Sequence, residues 1–289
     1  MLKCVAVARF RRANISQSRD DPLDCARTHY NAALAALLSC TLLMALSWGA
    51  HAQLVPPGSR PTEIEFGVMP QHLTGNRPDW REYYVDFSHR FGERKTLYGA
   101  LRETERFGRS DTQGVLGGYY PLGVRVTGVL ETGISPTHNV LPQQWLFGQL
   151  EFNLGAGWGV SAGVRHTEYD AAQVNMGTVT VEHYIGNVRA AYTLYESWLQ
   201  GAGAAPAHRF ALSNNYNDEN QIGVAFVNGR ETENVGPPTG VLTSDVTSWA
   251  IYGRHWFTRD LAVSFEALQH RQGALYTRQG ARLGLRYRF

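Results

Sequence analysis

From about residue 61 onward the chain alternates apolar and polar residues with a period of two, in segment after segment of about 9–12 residues. Only a β-strand sends successive side chains to opposite faces, and a strand of that length crosses a bilayer at a tilt. Segment 281–289 shows the pattern most plainly. Ala281, Leu283, Leu285, Tyr287 and Phe289 share one face, and Arg282, Gly284, Arg286 and Arg288 share the other. Likewise Leu146, Gly148, Leu150, Phe152 and Leu154 oppose Phe147, Gln149, Glu151 and Asn153, and Trp249, Ile251 and Gly253 oppose Ala250, Tyr252 and Arg254. Beyond residue 53 no apolar run approaches the roughly 20 residues of a spanning helix.

A water-soluble sandwich strand can alternate in the same way, so the connections decide. The pattern predicts strands at 62–69, 81–91, 95–106, 111–120, 123–133, 144–154, 157–168, 174–184, 187–198, 207–216, 220–229, 246–257, 261–270 and 279–289. Short turns such as 92–94, 155–156 and 217–219 then alternate with longer polar loops at 134–143, 199–206, 230–245 and 271–278. Short turns on one side and longer loops on the other are the mark of a transmembrane barrel. Aromatic placement agrees, with Phe91, Tyr120, Tyr184, Tyr216, Phe257 and Phe289 at the short-turn ends. Phe107, Trp145, Tyr169, Trp198 and Trp249 stand near the long-loop ends, which suggests two interfacial girdles. The expected fold is all-β: a transmembrane antiparallel up-and-down barrel of about 14 strands, with 12–16 as the range, over 61–289. Strand 62–69 rests on parity, since an even count returns the chain to its starting side, and Pro70 is expected to end it.

Upstream, an apolar run from Ala32 to Trp48 leads to Ala50-His51-Ala52, a signal-peptidase type of site. Residues 1–52 therefore read as a cleavable signal peptide with an over-long N-terminal extension, cut after Ala52, and 53–60 as a periplasmic tether. Cleavage removes Cys4, Cys25 and Cys40, so the mature chain has neither disulfide nor thiolate metal site. It also removes six basic and three acidic residues, turning the formal +2 into −1, so nothing points to nucleic acid. The expected location is the bacterial outer membrane. The expected partners are its lipid and lipopolysaccharide, the barrel-insertion machinery, and polysaccharide or small polar solutes.

The polar faces supply the candidate interior: Arg90, Arg102, Arg125, Glu131, Glu151, Arg165, Glu182, Arg189, Arg209, Arg254, Glu266, Arg282 and Arg286, with Asp86 and Arg288 on the same faces. Counted over strands two to fourteen, arginines outnumber carboxylates ten to five. Two readings follow: a pore with positive bias admitting anionic or sugar solutes, or ion-pair ladders that fill and stiffen the barrel. Leu285, Tyr287 and Phe289 form an apolar terminal stripe of the kind expected to address a barrel to its insertion machinery.

No catalytic set emerges. A hydrolytic barrel needs Ser and His in hydrogen-bond reach, and neither His-x-Ser nor Ser-x-His occurs on a strand face. Ser88 and His89 are adjacent and face opposite ways, and His166, His183 and His255 fall on outward faces. Asp79, Glu82, Asp86, Glu103 and Glu105 gather towards one rim, but no metal spacing, phosphate loop or dinucleotide fingerprint is present, and no cofactor is expected.

Ile64-Glu65-Phe66-Gly67, Asp79-Trp80-Arg81-Glu82-Tyr83-Tyr84-Val85 and the closing Gly284-Leu285-Arg286-Tyr287-Arg288-Phe289 make the chain resemble the YaiO-like outer-membrane β-barrel family over about 60–289. The resemblance implies a surface barrel and, through related barrels beside polysaccharide-synthesis enzymes or fused to tetratricopeptide repeats, the handling or export of surface polysaccharide. It carries no agreed catalytic residues, and this chain lacks such repeats. The leading expectation is a non-enzymatic channel or polysaccharide-handling barrel. A lipid-modifying enzyme and an adhesion barrel working through its loops stand as alternatives.

Overall fold

A computed structural model describes residues 61–169, 172–199, 203–217, 219–234 and 241–289. The expected signal peptide and tether lie outside the described residues. Fourteen strands follow in chain order: β1 (Thr62–Leu73), β2 (Trp80–Gly92), β3 (Lys95–Arg106), β4 (Arg109–Pro121), β5 (Val126–Ile134), β6 (Gln144–Gly155) and β7 (Trp158–Tyr169). Then come β8 (Ala172–Ile185), β9 (Val188–Leu199), β10 (Ala205–Tyr216), β11 (Asn220–Asn234), β12 (Val241–Trp256), β13 (Leu261–Gln272) and β14 (Tyr276–Arg288). Each pairs antiparallel with its chain neighbours, and β1 pairs with β14 to close the barrel. Closure leaves no free sheet edge, which a bilayer does not tolerate.

The outward face is apolar and open: Leu101, Leu130, Val164 and Leu283 are each more than half exposed, while their inward neighbours on either side are largely covered. This inside-out arrangement is what lipid selects. Outward aromatics and histidines pair at the end of the barrel that holds both chain ends of the described barrel, as in Trp158–His183 (centroids 4.1 Å apart), His89–Phe91 (4.5 Å) and Tyr287–Phe289 (6.0 Å). That end, with its brief turns, is the turn end below; the opposite one is the loop end.

Three expectations need correction. First, β1 does not stop at Pro70 but runs to Leu73. Pairing with β2 continues through Pro70↔Arg81, whereas pairing with β14 skips Met69 and Pro70 between Val68↔Leu283 and Gln71↔Gly280. Proline lacks the N–H that would bond β14, so the ladder opens there and resumes beyond it. Second, the strict alternation of short and long connections fails at the loop end, because strands continue into segments expected as loops. β11 and β12 pair as far as Asn234↔Val241, zipping up most of 230–245, and β3 and β4 leave only Phe107 and Gly108 between them. Third, the girdle is incomplete. Trp198 and Trp249 face out, but Trp145 points inward and is buried, and Phe107 packs edge-on against Trp80 at 5.2 Å. At the other end Tyr184 shares the inward face with Glu182.

Register is pinned by inward aromatic rings laid over glycines on the facing strand. Tyr98 stands opposite Gly117, Tyr84 opposite Gly67 and Trp145 opposite Gly133. A Cβ on Gly117 would come within 2.5 Å of the Tyr98 ring. Gly117→Val is therefore expected to cost about 1–3 kcal/mol through overpacking, read as a lower unfolding temperature on heat-modifiable gel mobility. An unchanged temperature would show that the ring is free to leave.

Candidate functional site

The strand parity sends the polar stripe of every strand into the barrel, and Arg102, Glu131, Glu151, Arg165, Glu182, Arg189, Arg209, Arg254, Glu266, Arg282 and Arg286 all lie on inward faces. Arg90 shares the inward face of β2 at the turn end and is half-buried. Arg125 does not join them. β5 begins one residue later, and Leu122 N and Gly123 N both bond Val126 O, folding 122–125 into a turn that leaves Arg125 exposed.

The interior is not arginine-rich. Among the described residues, Glu63, Glu65, Glu82, Asp111 and Glu231 also face inward and are covered, as do Arg106 and Arg278. The expected two-to-one bias becomes near balance. Glu82 leaves the supposed acidic rim, since it points inward with Asp86 while Glu103 and Glu105 point outward.

Two halves of the interior differ. On β9 to β14 and β1 to β3 most inward side chains are buried, although Glu63, Tyr252, Arg254, Arg282 and Arg286 stay partly exposed. At the β1/β14 seam the Arg286 Nε donates to Glu65 Oε2 at 2.6 Å and its Nη1 to Glu63 Oε2 at 3.0 Å. Arg288 donates to Glu63 at 3.1 Å and to Glu219 at 2.8 Å, and Arg282 to Asp86 at 3.3 Å. The Arg282 guanidinium lies 3.9 Å over the Tyr84 ring and that of Arg288 3.8 Å over Trp256. Planar forks held on carboxylates and on aromatic faces suit arginine. This half is the stiffening ladder foreseen as the second reading.

On β6 to β8 the inward Phe147, Gln149, Glu151, Ser161, Thr178, Thr180, Glu182 and Tyr184 stay partly exposed. These eight residues form a partly exposed stretch of the inner wall. Hydroxyls, an amide and carboxylates line it, with Arg189 bonded to Glu182 at 2.6 Å and Arg165 at 3.7 Å from Glu131 on β5. Arg165 also lies 3.8 Å over the Trp145 ring.

Towards the loop end the interior around β8 to β11 is packed. Val174, Met176, Tyr195, Leu199, Ala207 and Val227 form a buried apolar layer. At the same end the connection 135–143 between β5 and β6 carries buried Ser135, Val140 and Leu141. Asp111 on β4 holds that connection: its carboxylate accepts from Asn139 N and Nδ2 (both 2.9 Å), Val140 N and Leu141 N (2.8 Å). Gln113 Nε2 adds a bond to Ser135 Oγ at 3.1 Å. Asp111 opens an expected strand, and nothing local shows that a connection 28 to 30 residues on folds back to it. Glu63 and Glu65 were missed because β1 was left out of the tally, although Ile64-Glu65-Phe66 alternates.

One Ser–His pair does face inward across neighbouring strands, Ser248 opposite His270. The serine hydroxyl donates to Gln269 O at 3.2 Å, and His270 Nε2 lies 2.7 Å from Gln272 Oε1 and 3.9 Å from Glu231 Oε2. Both residues are buried, and the hydroxyl is engaged by the backbone rather than by the imidazole. The pair is not arranged as nucleophile and base.

Comparison with known proteins places this geometry. The YaiO membrane beta barrel domain matches residues 61–234. Among solved structures, one described as a bacterial polysaccharide outer membrane secretin is 10% identical and superposes with a TM-score of 0.51 over 80% of this chain and 99% of that one. The outer membrane protein Omp33 of Acinetobacter baumannii is 12% identical, with a TM-score of 0.49 over 80% of this chain and 100% of that one. OmpF of Salmonella typhi, solved with daunomycin, is 9% identical, with a TM-score of 0.44 over 80% and 98%. No curated protein matches.

Proposed function

The chain belongs to the YaiO membrane β-barrel family and is an outer-membrane β-barrel, and from that premise we propose that it is a non-enzymatic conduit for small polar solutes, saccharides among them. The observation that carries this reading is the unequal interior. Gln149, Glu151, Ser161, Thr178 and Thr180 stay partly exposed in succession along one wall, whereas the β9 to β3 half buries most of its inward side chains. Hydroxyl, amide and carboxylate groups at that wall offer donors and acceptors to sugar hydroxyls, while the β9 to β3 half acts as a rigid backing.

The conduit has a vestibule at the turn end and a closure at the loop end. By the usual disposition of such barrels the turn end faces the periplasm, so the closure, 135–143 with the Val174–Met176–Tyr195 layer, faces outside. A polysaccharide role is kept as part of the proposal because a barrel of that description shares the fold.

Planar-bilayer recording on the purified, folded barrel tests the reading. The expected result is small, intermittent conductance that drops when neutral oligosaccharide is added to the turn-end chamber. A barrel that never conducts and never lets sugars swell proteoliposomes, in the native form and with the 135–143 closure released, would overturn it.

A further inference from the structure

Several of the arginines that suggested an anion-loving interior are held on carboxylates. Arg282, Arg286 and Arg288 are held on carboxylates in the packed half. Along the partly exposed wall, Arg189 is neutralised by Glu182 at 2.6 Å and Arg165 by Glu131 at 3.7 Å. Glu151 differs. It faces inward on β6, remains partly exposed, and its Oε1 accepts only the Gln149 Nε2 at 3.0 Å. Among the described residues no arginine, lysine or histidine lies within ion-pair distance of it. The arginine whose field reaches Glu151, Arg189, is bonded to Glu182, so this stretch of wall carries one carboxylate in excess.

We propose that Glu151 makes the vestibule select cationic and neutral polar solutes over anionic ones, amino sugars being favoured over sugar acids. The inference rests on the conduit reading and reverses the preference that the arginine-rich sequence implies. A single excess charge about 6 Å from a passing ion in a watery path shifts the ion's occupancy roughly threefold, raising cations and lowering anions. The wall needs no positive groups to hold neutral sugars, since Ser161, Thr178 and Thr180 supply hydroxyls.

The test is the reversal potential under a potassium chloride gradient in mildly alkaline buffer, for the native barrel, Glu151→Gln and Glu103→Gln. Glu103 faces outward and serves as the control. The native barrel and Glu103→Gln are expected to prefer potassium, and Glu151→Gln to lose roughly three- to tenfold in cation-to-anion permeability. Proteoliposome swelling should show glucosamine entering faster than gluconate in the native form, with the gap narrowed in Glu151→Gln. Heat-modifiable gel mobility confirms that the variant is folded. Conductance with an unchanged permeability ratio in Glu151→Gln, or with chloride preferred by the native barrel, overturns this inference and leaves the conduit standing. No conductance and no swelling in any form, the barrel with its 135–143 closure released included, overturns both.

Discussion

Glu65→Ala is expected to lower the stability of the folded barrel by about 3–5 kcal/mol, the usual cost of removing one partner from a buried ion pair. Glu65 is 3% exposed. Its Oε2 accepts from Arg286, and its Oε1 accepts from the Tyr84 hydroxyl at 2.7 Å and the Ser264 hydroxyl at 2.6 Å. The four residues sit on β1, β14, β2 and β13, so one carboxylate ties four consecutive staves across the closing seam. Its loss leaves Arg286 with Glu63 alone and strands two hydroxyls, each costing about 1–3 kcal/mol when unsatisfied, though such costs do not add. Glu65→Gln keeps an acceptor and the shape and should lose less. Urea titration of the refolded barrel in detergent, followed by tryptophan fluorescence, measures both. A Glu65→Ala midpoint equal to the native one would show that the seam does not depend on this clasp.

Asp111→Ala should produce the second large effect, on gating rather than on stability. Four N–H groups of the 135–143 connection converge on one carboxylate, and hydrogen bonds to a charged acceptor contribute about 1.5–3 kcal/mol each. Even a net loss of about 2.7 kcal/mol would move a two-state closure by roughly 100-fold. The expected outcome is a rise of 10-fold or more in open probability, roughly, with faster proteolytic cleavage within 135–143. Asp111→Asn, which retains one carbonyl acceptor, should fall between. If Asp111→Ala opens no more often than the native protein and its connection stays protease-resistant, the closure is held by the apolar layer instead.

How far the sequence spoke depends on the physical signal behind each feature. Facing was legible because a strand has only two faces: Leu285 and Arg286 cannot share one, and lipid demands that the leucine look out. Trp145 obeyed that rule as well. Its parity with Phe147 and Gln149 places it inward, and expecting a girdle obscured what the alternation already said. The loop-end boundaries were illegible by the same logic. Residues 230–234 and 241–245 pair through their backbones, while their sequence shows no sustained apolar alternation to mark a strand. Pro70 misled because a proline rule written for a fully paired strand ignores the option of opening one ladder and keeping the other. The interior balance was beyond reach from composition. A barrel implies that the first and last strands meet, but pairing Arg286 with Glu65 also requires the register of that seam, and nothing local to either segment states it. The vestibule wall was equally hidden, since Ser161, Thr178 and Thr180 look alike in a sequence whether packed or wet.

That meeting of ends has a kinetic meaning. Glu65 and Arg286 are 221 positions apart, so their contact carries a loop-closure penalty that no hairpin formation offsets until every intervening stave is in place. The barrel should therefore close late, from a C-shaped sheet with two sticky rims. Its lifetime once sealed should be set by how rarely that one join lets go.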